Sequence, residues 1–133
     1  MPSPPDDLPS CIDLTVGEAR YLLAIRGLEG KPSQAALARK LGVSHPTALE
    51  MVRRLRQLEL VGSEGLTLTP EGMRTALVLA SRRSAAEHLA HDVLGFDDEQ
   101  ARLEGEKLAA TASPQLARRL VAWNASTKRS PQR

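Results

Sequence analysis

The residues whose types and spacing could do chemistry are concentrated in one stretch, SHPTALEMVRR, residues 44 to 54. If residues 45 onward form a helix, Met51, Val52, Leu55 and Leu58 recur at helical spacing and face the protein body. Ser44, His45, Pro46, Thr47, Glu50, Arg53 and Arg54 are then left outward. This is a short polar tip followed by a basic flank, a surface suited to the major groove of duplex DNA. A second set lies on the segment after residue 70. Glu87 with His91, and His88 with Asp92, are each four apart, a spacing that can chelate a metal on a helix face. Two histidines on an acidic helix are more often plain surface residues, and His45 reads as an exposed or DNA-facing side chain rather than a ligand.

The elements that must position the first group follow from the flanking residues. Leu37, Ala38 and Leu41 give QAALARKL an inward stripe, Gly42 supplies a permissive backbone at a tight turn, Val43 fills the corner and Ser44 caps the next helix. Pro46 sits in the first turn, where a missing N–H costs nothing. From Leu60, LVGSEGLTLTPEG reads as two short β-prone runs around Gly62 to Gly65 and then a helix start at Thr69-Pro70-Glu71. Helix, helix, small hairpin is the order of a winged helix-turn-helix. Upstream, Thr15 and Glu18 form a capping box for an amphipathic helix ending near Gly30.

Downstream, a helix from Thr69-Pro70 to about Leu94 has an apolar side of Met73, Ala76, Leu77, Ala80, Ala85, Ala86 and Leu89, and Gly95 stops it. Asp97 or Asp98 caps a helix running to roughly Ala110, and Ser113-Pro114 opens a last one with Leu116, Leu120 and Trp123 on one side. The expected fold class is mainly α, a winged helix-turn-helix lobe followed by a helical lobe. The domain layout is a mobile arm over 1–13, a winged-helix domain over 14–69, a helical domain over 70–123 and a disordered basic tail over 124–133.

Composition excludes several alternatives. Three aromatics, Tyr21, Phe96 and Trp123, are too few for a base-stacking platform for single strands or RNA. The lone Cys11 permits neither an internal disulfide nor a Cys-rich zinc site. No apolar run approaches membrane-spanning length and no signal-peptide pattern precedes the chain, so a cytoplasmic protein with no membrane partner is expected. Net charge is only +2, but it is unevenly spread. Lys31, Arg39, Lys40, Arg53, Arg54 and Arg56 face one acid, Glu50, between residues 31 and 56, whereas residues 85–106 hold seven acids against Arg102. The first region attracts phosphate and the second repels it. No nucleophile paired with a base, phosphate-binding glycine loop or carboxylate pair in a cleft-like context is present, so no enzyme is expected.

Taken in order, TxxEARYLLAI, LARKLGVSHPTALEMVRRL, LELV, LTLTPEG, RRSAAEHL and LGFDDEQARLEGEKLAATAS resemble the diphtheria-toxin-repressor and manganese-transport-regulator family of metal-dependent repressors, from about residue 14 to 123. The resemblance implies a homodimeric repressor on a palindromic operator, with the lobe after Pro70 carrying dimerisation and metal binding. It also implies that Ser44, Pro46, Thr47 and Glu50 lie at the groove. Pro46 would rest on a thymine methyl, the Ser44 and Thr47 hydroxyls would meet phosphate or a base edge, and Glu50 would accept from cytosine N4. Arg39, Lys40, Arg53 and Arg54 would add phosphate attraction.

Manganese or iron(II) is the implied cofactor, yet the matching ligand positions read Arg20, Leu23, Arg83, Glu87, Arg102, Glu106, Ala109 and Ala110. Only Glu87 and Glu106, with His91 as a relocated candidate, could serve, and two carboxylates do not make a specific transition-metal site. Arg83–Glu87 and Arg102–Glu106 pairs could instead replace the cation by bridging helices. Two other readings compete: a winged helix turned protein-interaction module, and a metal-independent repressor sensing a small organic ligand.

Overall fold

The fold is taken from a computed structural model that describes residues 14–28 and 32–129. The expected arm over 1–13, with Cys11, lies outside the described residues. Six α-helices follow in order: α1 (Val16–Arg26), α2 (Gln34–Leu41), α3 (His45–Gln57), α4 (Pro70–His88), α5 (Asp98–Thr111) and α6 (Pro114–Arg129). The chain divides into two compact units, one reaching to Leu77 and the other starting at Val78. The division falls inside α4 rather than ahead of it at Thr69. The reason lies at Gly72, where a Cβ would stand 2.0 Å from the Leu60 carbonyl oxygen, so the first turns of α4 are laid directly on the chain leaving α3.

In the first unit α1, α2 and α3 pack pairwise on one another. Thr15 and Glu18 form the capping box, with Glu18 N to Thr15 Oγ1 and Thr15 N to Glu18 Oε1 both 3.0 Å. Leu22, Leu37, Val52 and Leu55 are fully buried between the helices, and Ala38 is buried with them. Gly42 takes a left-handed φ of 69°, a conformation that strains any residue with a Cβ, and so turns α2 into α3. Helix α1 ends at Arg26 with Gly27 as its cap, earlier than Gly30, because Gly27 N–H already bonds back to Leu23 and Ala24. Leu58, expected to dock on the body, caps α3 and is 36% exposed.

The wing is reduced. Among the described residues its only strand pairing is a single antiparallel bridge, Val61 with Leu68, flanked by Gly62 N–H to Thr67 O at 2.8 Å and Thr69 N–H to Leu60 O at 3.1 Å. The residues between them turn through Gly65 at φ 69°.

In the second unit Ala85, Ala86 and Leu120 form a small core, with Leu89, Leu108, Ala109 and Val121 packed against it. Small residues let the helices approach closely. At Gly105 a Cβ would lie 2.8 Å from both Cα and N of Glu87, so α4 and α5 cross backbone to backbone there. Between α4 and α5 the chain makes a π-helical turn over Leu89–Val93, closed by Leu94 N–H to Leu89 O at 3.0 Å, before Gly95 at φ 80° redirects it. Asp97 caps α5 by accepting from Gln100 N–H at 2.8 Å. The segment expected to be a disordered tail from Asn124 instead continues α6 to Arg129. Asn124 Oδ1 is tied to His88 Nδ1 at 2.8 Å, and Thr127 Oγ1 donates to Trp123 O, so polar residues there extend the helix rather than end it. Met73 and Leu77, read as packing residues, are 42% and 46% exposed. No described helix is long and apolar enough to cross a membrane.

Candidate DNA interface and metal positions

The first unit presents the start of α3 to solvent. Ser44, His45, Pro46, Thr47, Glu50, Arg53 and Arg54 are all exposed, as are Arg39 and Lys40 on α2. The tip is braced from within. Ser44 Oγ accepts from Thr47 N–H at 3.2 Å and donates its own hydrogen to Thr47 Oγ1 at 2.8 Å. The Ser44 hydroxyl is thereby spent on the cap, and the Thr47 O–H is left as the pair's outward donor. Pro46, in the first turn of α3, removes no helical bond and holds the tip rigid.

The basic flank is not uniform. Arg54 Nε donates to Glu18 Oε2 at 2.9 Å, joining α3 to α1 across 36 residues of sequence. The Glu18 side chain is only 7% exposed, and that of Arg54 is 55% exposed. Burial pushes the Glu18 carboxyl up, but the Arg54 guanidinium and the Thr15 backbone N–H together outweigh it and hold its pKa below the ordinary carboxylate value. Lys40 reaches the carboxyl end of α1, its Nζ 3.6 Å from where a Gly27 Cβ would stand, where the helix dipole favours a cation. Arg56 bonds the Gly62 and Gly65 carbonyls. Arg53 makes no such intramolecular contact among the described residues. Sequence reasoning saw the cations as one group, because helical periodicity reports direction and says nothing of a carboxylate on a distant helix.

In the second unit Glu87 and Glu106 are half-buried, with Glu87 pinned at the α4–α5 crossing against Gly105. The other matching positions hold no donors. Ala109 packs into the small apolar core and Ala110 is exposed. Among the described residues no ion pair joins Arg83 to Glu87, and Arg102 Nη2 lies 3.6 Å from Glu99, one turn back on α5. The arginine bridge expected from these pairs is therefore not formed by Arg83. The relocated pairs fail for a different reason: the π-helical turn begins at Leu89, so residues four apart across it no longer share a face. His88 turns to Asn124 on α6, and His91 places Nδ1 2.8 Å from Asp92 and Nε2 3.1 Å from Asp98. A histidine bonded through both ring nitrogens to different carboxylates has no lone pair directed at a shared ion. Among the described residues no group of three or more His, Cys, Asp or Glu is placed to hold a metal. The residues present do not fit the implied manganese or iron(II) site.

A family model described as MarR family matches residues 12–65, from α1 through the turn of the wing. The diphtheria toxin repressor of Corynebacterium glutamicum is 31% identical over 125 residues, which is 90% of this chain and 55% of that protein. The transcriptional regulator MntR of Salmonella typhimurium is 36% identical over 80 residues, 58% of this chain and 50% of that protein. The chain belongs to the diphtheria toxin repressor and MntR family. A solved structure of a manganese-dependent transcriptional repressor in complex with manganese superposes on this family member with TM-score 0.72 and 32% identity, over 87% of this chain and 54% of that one. The chain spans about half the length of the curated relatives it matches. Its family relatives are regulators and repressors rather than enzymes, in keeping with the lack of catalytic groupings in the sequence. The fold class expected from the sequence, mainly α with a helix-turn-helix, is the observed one.

Proposed function

We propose that this chain is a transcriptional repressor that binds duplex DNA through the amino-terminal tip of α3, acts as a homodimer on a two-fold operator and needs no metal to do so. The observation that carries the reading is the tip itself, an exposed, internally braced Ser44-His45-Pro46-Thr47 turn fixed by the left-handed Gly42 and flanked by Arg39 and Arg53. Thr47 donates from its hydroxyl, Pro46 offers an apolar face for a thymine methyl, and Glu50 accepts from cytosine. Arg53 and Arg39 supply the sequence-independent attraction. The names of the relatives support repression as the outcome and manganese as the ligand of some of them.

The dimer is supported by apolar side chains that one copy leaves in water. In the second unit Val93, Leu94 and Phe96 are 58%, 60% and 38% exposed along one short segment, more than a lone monomer gains from exposing. Independence from metal is supported by Ala109 in the apolar core, Arg83 and Arg102 at positions where ligands are expected, and His91 engaged by two aspartates. The test is a fluorescence anisotropy titration of random-sequence and genomic duplexes with the protein, in parallel with excess chelator and with added manganese or iron(II). Binding indifferent to chelator supports the reading. Binding seen only with metal overturns the metal-independent part, and no binding at low salt in either condition overturns the DNA reading altogether.

A further inference from the structure

A wing held by one β-bridge, with a glycine at each end of its turn, has little of its own to set its position. Gly62 and Gly65 bound the tip Ser63-Glu64, and the ladder below them is a single pair, Val61 with Leu68. A side chain from α3 makes up the difference. Arg56 donates from Nε to the Gly62 carbonyl at 2.7 Å and from Nη2 to the Gly65 carbonyl at 2.8 Å. Those two carbonyls stand at the two ends of the four-residue turn. One planar guanidinium thus closes the loop and fastens it to the last turn of α3, a geometry that the single ammonium of a lysine does not reproduce.

We propose that Arg56 is the positioning residue of the wing: it sets the wing against the recognition helix so that both reach one duplex together, and it acts through that placement rather than by meeting phosphate itself. The inference rests on the DNA-binding reading above. Its physical basis is preorganisation. A loop with glycine at both ends loses much conformational freedom when it docks, and a loop already fixed in the unbound protein has less to lose. Arg56 is half-buried, with two of its N–H groups already given to backbone carbonyls, and its charge is correspondingly turned from the outward basic flank of α3.

The experiment uses the whole chain and the tightest duplex recovered from a random-sequence library by the wild type. Arg56→Lys keeps the charge and removes the two-point clamp. It is expected to weaken binding roughly ten-fold, the scale of one charge-assisted hydrogen bond, while leaving the slope of log affinity against log salt unchanged. Amide exchange at Gly62, whose N–H bonds Thr67 O at 2.8 Å, is expected to accelerate in the same variant. A Gly-Gly insertion between Ser63 and Glu64, which loosens the wing without touching α3, supplies the second arm. In that background Arg56→Lys is expected to have little further effect, because the placement it would remove is already gone.

Arg56→Lys binding as tightly as the wild type overturns the proposal, as does an undiminished effect in the insertion background. Arg56→Ala lowering the salt slope by about 0.9 also overturns it, since that is the signature of one lost phosphate contact. A wild type that binds no duplex at low salt is a different result: it removes the DNA-binding reading and this inference with it.

Discussion

Arg54 sits on the helix that should face DNA, yet its closest partner is inside the protein, and removing it separates the two roles. In Arg54→Ala the Glu18 carboxylate keeps the Thr15 N–H at 3.0 Å but loses the guanidinium at 2.9 Å. Breaking a fully buried pair leaves an uncompensated charge and destabilises by about 3–5 kcal/mol, whereas an exposed pair contributes only ~0–1 kcal/mol. Here the Glu18 side chain is 7% exposed and that of Arg54 is 55% exposed, so water reaches one side of the contact. The expected destabilisation is therefore about 1–2 kcal/mol, between those limits and nearer the lower one. Chemical denaturation of wild type, Arg54→Ala, Glu18→Gln and the double variant measures it, and the cycle should return a coupling of roughly 1 kcal/mol. The same proteins titrated with duplex across a range of salt give the other half. Arg54→Ala should leave the salt slope near that of the wild type, while Arg53→Ala lowers it by about 0.9. Unchanged stability in Arg54→Ala together with a salt slope reduced by that amount would refute the assignment and return Arg54 to the phosphate-binding flank.

The same carboxylate makes the first unit sensitive to acid. Because the folded-state pKa of Glu18 lies below its ordinary value, its contribution is fully present above that value and is lost as pH falls through the folded pKa; wild type should lose more stability than Glu18→Gln on acidification below about pH 4.5, as read by thermal melts. Gly72→Ala should destabilise by about 1–3 kcal/mol despite the better helix propensity of alanine, since its Cβ would stand 2.0 Å from a backbone oxygen; a melt equal to wild type would contradict the close approach of α4 to Leu60. Thr75 is 1% exposed and its hydroxyl has no partner, so Thr75→Val should raise stability by roughly 0.5–1.5 kcal/mol in denaturant titrations, and a loss would mean that the hydroxyl is bonded after all. His91 should titrate above the ordinary histidine value in an NMR pH series, held up first by its bond to Asp92 and then by the charge of Asp98. Asp98→Asn should bring it down, and the contact is present at low pH and lost as pH rises through that raised value.

Much of this molecule was legible because short-range rules govern it. The Thr15–Glu18 box, the Gly42 turn, the Ser44 cap and the Asp97 cap are each decided within four residues, and each stands where the spacing puts it. What escaped was set by distant partners. Nothing near Arg54 or Arg56 in sequence announces Glu18 on another helix or a pair of loop carbonyls, so both read as outward cations. The two β-prone runs suggested a fuller hairpin than the single bridge that forms, since Arg56 binds carbonyls at its turn. Asn124 to Arg129 looked like a polar tail because composition carries no trace of the His88 contact that helps hold α6. Of the candidate metal residues, Glu87 and Glu106 lie where the α4–α5 packing puts them, but the loss of the shared face of Glu87 and His91 depends on a π-helical turn for which no residue between 89 and 93 gives a local signal.

That turn also behaves as an absorbed insertion. A π-helical turn holds one residue more than an α-helical turn in the same place, so everything after it is rotated by roughly 100° relative to a continuous helix. Equal spacing in sequence therefore conceals a change of direction at Leu89–Val93. Anyone seeking to give this chain a metal switch by restoring histidines at their expected positions would be working with side chains aimed two ways. Deleting one residue from the turn would bring Glu87 and the segment after it back into phase, at the expense of the Leu94–Leu89 bond that now closes it. The shortest route to a metal-responsive variant thus begins with the length of the chain, and only afterwards with the identity of its ligands.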